Sequence, residues 1–360
     1  MTRATASPYM EWAKTRKAAR FNLSRSGVPD QPLAVLEATL ADVEIDGGGG
    51  YGWPPLLSAL GAHLGVPAEE IVHLPGTSMA NFVALAGLLG PGDDVLIERP
   101  AYELLLSAAR FLGANVLRFD RRFEEGFAVD PGAVARAMTP KTKVVVLTNL
   151  HNPSSARIPD ATIHALGSLA REAGARVLVD EVYLEALYET PTPTARRLGP
   201  ELVVTSSLTK AWGFSGLRCG WIAAEPDLAR RFARLNDLFG VVHARPAETL
   251  ALRALARLPA LAPGYRELLA ENRAVFGEFL AGRTDLEAVV PPDGTVVFPR
   301  RKQGGSDELC RLLRESYETS VVPGEFFEDP RAFRVALSIP TDDLREGLAR
   351  LGKALDDLAR

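Results

Sequence analysis

A chain of 360 residues, 47% hydrophobic and 24% charged, is too apolar to be disordered and too long for a single core, so two domains are expected. A net charge of −4 supplies no basic surface for nucleic acid or an anionic membrane. Two cysteines, Cys219 and Cys310, give neither a disulfide framework nor a CxxC metal spacing, which points to a reducing, cytoplasmic setting and no metal.

The N-terminal 40 residues show no strand pattern of their own and are expected to pack on a small domain as a segment spanning 1–40. They carry no apolar stretch of signal-peptide length. The run 46-DGGGG-50 reads as a flexible entry into a large domain covering 41–265. From about residue 70, helix-like segments (78–89, 103–113, 160–174) alternate with short β-branched runs. These runs are 95-VLIE-98, 116-VLRF-119, 143-KVVVLTN-149, 176-RVLVD-180, 201-ELVVTSS-207 and 219-CGWIAA-224. Strands this short and apolar are buried on both faces, and their alternation with helices implies a mainly parallel α/β sheet. The longest apolar run, 82-FVALAGLLG-90, falls far short of the ~20 residues of a membrane span. Past residue 226 a helical stretch runs through 246–258 and 265–282. Residues 266–360 read as a smaller α+β domain: strand 295-TVVF-298, helix 307–318, the segment 320-SVVPGEFF-327, strand 333-FRVALSI-339 and helix 341–359.

Ligands of such sheets bind at the carboxyl ends of the strands, which here read Glu98, Asn149, Asp180 and Ser207. In 73-HLPGTSMAN-81 a glycine and the hydroxyls of Thr77 and Ser78 lead into a helix, an anion site or an ordinary helix cap. Tyr102 follows a strand end and a proline, where a ring could stack on a flat ligand or pack locally. In 149-NLHNPSSARIP-159, Asn152 could donate to a ligand oxygen or serve the turn, and His151 reads as a loop histidine. In 179-VDEVY-183 an apolar strand runs into Asp180, Glu181 and Tyr183, and a carboxylate there must find a partner. Only seven of the 41 basic residues are lysine, so Lys210 at the end of an apolar strand is unlike a surface charge. With Arg218 nearby and apolar surroundings, its amine would lose a proton readily and attack an aldehyde. Arg218, Ser207 and the hydroxyls at 77–78 could hold a phosphate. A phosphate cradle, a stacking ring, oxygen-binding donors (Asn152, Tyr183), a buried carboxylate and a nucleophilic lysine match the parts of pyridoxal phosphate.

The chain resembles the fold-type I pyridoxal-phosphate enzymes, class I/II aminotransferases in particular, over nearly its whole length. The S-x-x-K…G-x-R-x-G segment of that family stands as Ser207, Lys210, Gly216, Arg218 and Gly220; H-N-P stands as His151, Asn152 and Pro153; D-x-x-Y stands as Asp180 and Tyr183. The separations fit, with 28 residues from Asn152 to Asp180 and 30 from Asp180 to Lys210. The resemblance implies a seven-stranded-type sheet, a Schiff base from Lys210 to the cofactor, and amino-group transfer from an L-amino acid to a 2-oxo acid. It makes Lys210, Asp180 and Tyr183 the catalytic residues, and places Met79 beside Thr77 and Ser78 at the cofactor. It further implies that Arg334, with Asn152 and Gly27, holds the substrate carboxylate, that Tyr51 reaches the phosphate of a neighbouring subunit, and that the enzyme is a homodimer. The chain departs from the family in writing NPSSA where N-P-T-G is usual, in lacking a glycine near residue 56, and in carrying Met79 where Gln or Glu is common. The same residues would serve a β-eliminating lyase. A non-enzymatic effector domain is the remote alternative, since it would need a DNA-binding segment ahead of the large domain. The segment 24-SRSGVPD-30 and the loop 239-FGVVHARPAE-248, with His243 and Arg245, are candidate readers of the substrate side chain.

Overall fold

The expected inner strands carry two apolar sets of opposite orientation, and the fold buries both, whereas the edge strand Asn115–Asp120 fully buries only Phe119. In Arg176–Asp180, Val177 and Val179 enter the larger apolar cluster while Leu178 enters a second one on the other face. The computed structural model describes residues 6–16, 19–47 and 50–360; Gly48 and Gly49 of the expected glycine entry lie outside them.

Seven strands form one sheet in the order Ile71–Pro75, Cys219–Ala223, Leu202–Ser207, Arg176–Asp180, Thr142–Thr148, Asp94–Arg99, Asn115–Asp120. Cys219–Ala223 runs antiparallel to both its neighbours, and the other pairs are parallel. The edge strand Ile71–Pro75 is an addition to the strands read from the sequence. Its pattern is broken by His73 and ends on a proline, which an edge position tolerates. Helices Thr77–Leu88 and Pro226–Asn236 pack through Ala80, Val83, Ala84, Leu228 and Phe232 on one face. Helices Pro54–Leu64 and Asp160–Glu172 cover the other.

The two helical runs expected after residue 245 form one helix, Arg245–Ala281, of 37 residues and about 55 Å. It contains Pro259 and Pro263, and the domain boundary expected at 265 falls inside it. Beyond it, Val296–Val297, Phe333–Ala336 and Val322–Pro323 make a three-stranded antiparallel sheet with Phe333–Ala336 in the middle. The N-terminal segment contributes Phe21–Asn22, parallel to Thr319–Ser320. This seats residues 22–28 between the two sheets, beside both Lys210 and Arg334. Among the described residues no helix is long and apolar enough to cross a membrane.

Candidate active site

A cleft of about 840 Å³ opens at the carboxyl ends of the parallel strands. Thr77, Ser78, Tyr102, Asn152, Asp180, Tyr183, Ser207, Lys210, Arg218 and Arg334 all line it. Asp180 and Ser207 reach it from strand ends, whereas Asn149 turns away to accept the Ile158 N–H. Glu98 is fully buried in a 2.8 Å ion pair with Arg121.

Asp180 is buried at the end of its strand, at 4% exposure. Its Oδ2 accepts from Asn81 Nδ2 at 2.7 Å and its Oδ1 from the Val182 N–H at 3.1 Å. Thr205 donates to Asn81 Oδ1 at 2.5 Å, which turns the amide so that its NH2 faces Asp180. Burial nevertheless pushes the Asp180 carboxyl up to about 6, because two neutral donors do not replace a counter-charge. Lys210 stands across the cleft with its Nζ donating to Ser26 Oγ at 3.0 Å. The Val28 N–H donates to the Lys210 carbonyl at 2.8 Å, and the Gln31 N–H to that of Gly213 at 2.8 Å. Trp212 adds a bond to buried Glu185 at 2.9 Å, so the lysine leaves a pinned segment and its long side chain is the mobile part.

Thr77 donates to Ser207 Oγ at 2.8 Å, joining the helix start to the neighbouring strand end. Arg218 folds over the same corner, donating to the Pro75 carbonyl at 3.0 Å and to that of Ser215 at 3.3 Å. Gly76 sits beneath it with φ +87°, and a Cβ there would come within 2.2 Å of Arg218 Nη2. Hydroxyls, the amides that open helix Thr77–Leu88 and a guanidinium thus converge as an anion site.

On the opposite wall Arg334 is buried at 1% exposure in Phe333–Ala336, the central strand of the three-stranded sheet. Its Nη1 donates to Asn152 Oδ1 at 2.8 Å, and its Nη2 to Tyr9 Oη at 3.1 Å and the Ser24 carbonyl at 3.4 Å. Its Nε has no partner, which leaves a buried cation open to an anion. Asn152 is itself fixed, since its N–H donates to Thr148 Oγ1 at 3.0 Å and Thr148 donates to Glu98 Oε1 at 2.5 Å. Burial would raise the Tyr9 phenol, but the charges of Arg334 and Lys210 outweigh it and lower its pKa.

The remaining expected residues lie elsewhere. Met79 packs its side chain against the apolar cluster shared by helices Thr77–Leu88 and Pro226–Asn236. Gly27 contributes close approach, because a Cβ would stand 2.6 Å from the Lys210 carbonyl oxygen. Tyr51 is 57% exposed, bonds Asp237 at 3.2 Å and borders a separate shallow depression with His73 and His243. Of the side-chain readers, Ser24, Arg25 and Ser26 line the cleft. His243 and Arg245 do not: His243 packs on His73 at 4.2 Å, and Arg245 lies over Trp53 and pairs with Glu248 at 3.1 Å. His151 is buried between Ser154 Oγ at 2.6 Å and the Pro100 carbonyl at 3.0 Å, and burial holds its pKa well below the usual range. Sequence reasoning missed Asn81, Thr205 and Tyr9, and it did not foresee that Ser26, within a segment it named, meets Lys210. Asn81 had a signal: it follows Thr77 by one helical turn and is the polar residue of an otherwise apolar face.

The residues fit pyridoxal phosphate. A buried carboxylate whose burial is only partly offset, an amine within the same cleft, an anion cradle and an open buried guanidinium are all present. Residues 34–351 match the family model of aminotransferase class I and II. A protein named capreomycidine synthase from Streptomyces vinaceus is 28% identical, over 99% of this chain and 95% of its own length. A protein of Pseudomonas aeruginosa named arginine–pyruvate transaminase is 30% identical, over 81% of this chain and 76% of its own. A solved double mutant of the aspartate aminotransferase of Thermus thermophilus superposes with a TM-score of 0.85 at 27% identity, covering 94% of this chain and 92% of that one. The chain belongs to the class I and II aminotransferase family and is a pyridoxal phosphate-dependent aminotransferase.

Proposed function

We propose that the enzyme moves the amino group of an L-amino acid to a 2-oxo acid with Lys210 as the residue that carries the cofactor and handles the substrate's α-proton. The observation that supports this most is the facing of a buried carboxylate, Asp180, whose burial is only partly offset, and an amine, Lys210, within one cleft. When bound, the cofactor supplies an electron sink for the pair left at the substrate's α-carbon. Asp180 would hold its ring nitrogen as a cation, and Asn152 and Tyr183 its ring oxygen. Thr77, Ser78, Ser207 and Arg218 would hold its phosphate, with Met79 contributing through its place in the first helical turn. Tyr102 would cover the ring. Arg334 and Asn152, with the backbone at Gly27, would hold the substrate carboxylate and so fix which bond at the α-carbon stands ready to break. Lys210 Nζ would take the α-proton and return it, with Ser26 Oγ available to the amine while it is free of the cofactor.

Borohydride reduction of the holoenzyme followed by peptide mass analysis tests this. The cofactor mass on the peptide containing Lys210, with turnover abolished in a folded Lys210→Ala variant, is the expected outcome. Label on another lysine, or full activity of that variant, would sink it.

The working form is a homodimer in this reading. Leu238 and Val241 are exposed at 78% and 63% near Tyr51, which bonds Asp237, and this apolar surface favours a second copy. Tyr51 would then reach the partner's phosphate site. A cytoplasmic home is supported by two unpaired thiols, Cys219 and Cys310. A reaction other than amino-group transfer at the same site, with β-elimination as the candidate, is the second reading, favoured by the nearly full-length match to a relative named a synthase rather than a transaminase.

A further inference from the structure

Tyr9 lines the cleft and touches Arg334, yet no role above uses it. It lies in helix Pro8–Thr15, whose first turn is set by Pro8 and by Ser7 Oγ accepting the Met10 N–H at 3.2 Å. The Tyr9 ring packs edge-on against Tyr102 at 5.7 Å and Phe326 at 5.6 Å. This aromatic seat leaves the ring 8% exposed and fixes the phenol oxygen 3.1 Å from Arg334 Nη2. Toward the guanidinium the phenol is an acceptor. Its own O–H is used by no hydrogen bond among the described residues. Arg334 Nη1 meanwhile points to Asn152 Oδ1 at 2.8 Å, so Asn152 and Tyr9 flank the two ends of the guanidinium.

A neutral hydroxyl that accepts from a cation and keeps a donor in reserve suits an anion arriving at that cation. It adds a bond to the anion and brings no opposing charge. We propose that Tyr9 is a third anchor of the substrate's α-carboxylate, its O–H donating to the oxygen that Arg334 also holds. The proposal rests on the reading of Arg334 as the carboxylate site. It makes the N-terminal helix part of the substrate site and biases the cleft toward α-amino acids over plain amines.

The test uses two probes of the holoenzyme, followed by the shift of the cofactor's absorption band. 2-Methylalanine has the α-carboxylate but no α-proton, so it binds without turnover; isopropylamine is the same amine without the carboxylate. Tyr9→Phe keeps the ring and its packing. It is expected to raise the Kd of 2-methylalanine on the order of tenfold, the share of one hydrogen bond to a charged group, and to leave isopropylamine unchanged. Arg334→Lys raises the Kd of 2-methylalanine further, again without effect on isopropylamine. Equal shifts for both probes in Tyr9→Phe, or no shift for either while Arg334→Lys weakens 2-methylalanine, would overturn the role of Tyr9 alone. An unchanged 2-methylalanine Kd in Arg334→Lys would remove the carboxylate site on which the role rests.

Discussion

Asp180→Asn separates a buried charge from an ordinary buried residue. Burial raises the Asp180 carboxyl from 3.8 in an unfolded chain to about 6 in the cofactor-free site. The folded protein therefore holds this proton more tightly than the unfolded one, and stability falls as pH rises between those values. Integrating the two titrations gives a loss of about 1 kcal/mol by pH ~4.5 and about 3 kcal/mol by pH ~7.5, so about 2 kcal/mol disappears between them. The asparagine variant lacks this titration. It gives up one of the two hydrogen bonds now made by Asn81 and Val182, a pH-independent cost of about 1 kcal/mol. In urea unfolding of the two cofactor-free proteins, the variant should gain about 2 kcal/mol on the parent from pH ~4.5 to pH ~7.5. Excess cofactor should cancel the slope in the parent, because a cationic ring nitrogen compensates the carboxylate, and should bind the variant more weakly. A stability difference that does not change with pH would refute the description of Asp180 as a charge waiting for a partner.

Glu98→Gln should cost about 3 kcal/mol in urea unfolding, because it leaves the Arg121 charge buried. The double exchange Glu98→Gln/Arg121→Met should recover most of that loss, and its failure to do so would show that the pair is held for more than charge balance. Leu238→Glu with Val241→Glu should leave a monomer by sedimentation with reduced cofactor affinity, whereas a variant that stays dimeric would move the subunit contact away from this apolar surface.

The sheet and the polar strand ends were readable because both arise from local patterns. Runs such as 143-KVVVLTN-149 must be buried on both faces, and the first polar residue after them marks the ligand edge. Lys210, Asp180 and Arg218 stood out for the same reason, since each interrupts an apolar or glycine-rich run, and Asn152 because it lies in the turn that ends one. The edge strand Ile71–Pro75 was hidden by His73 and its terminal proline, which obscure its periodicity. The length of the helix Arg245–Ala281 was hidden by Pro259 and Pro263, which usually end a helix and here lie within one. Tyr9, Asn81 and Thr205 act through partners 325, 99 and 124 residues away, and no local pattern announces such pairs. His243 and Arg245 were attractive as side-chain readers by residue type, but helix Arg245–Ala281 starts on the far side of the strand Ile71–Pro75, against His73 and Trp53.

The central claim is amino-group transfer at Lys210, and the absorption spectrum of the purified holoenzyme addresses it most directly. Addition of an amino acid mixture without any oxo acid should convert the cofactor to its amine form, and a 2-oxo acid should then restore the original band. A band that persists while pyruvate and ammonia accumulate would contradict transfer and establish β-elimination. A protein that develops no cofactor band at all would contradict the role given to Lys210.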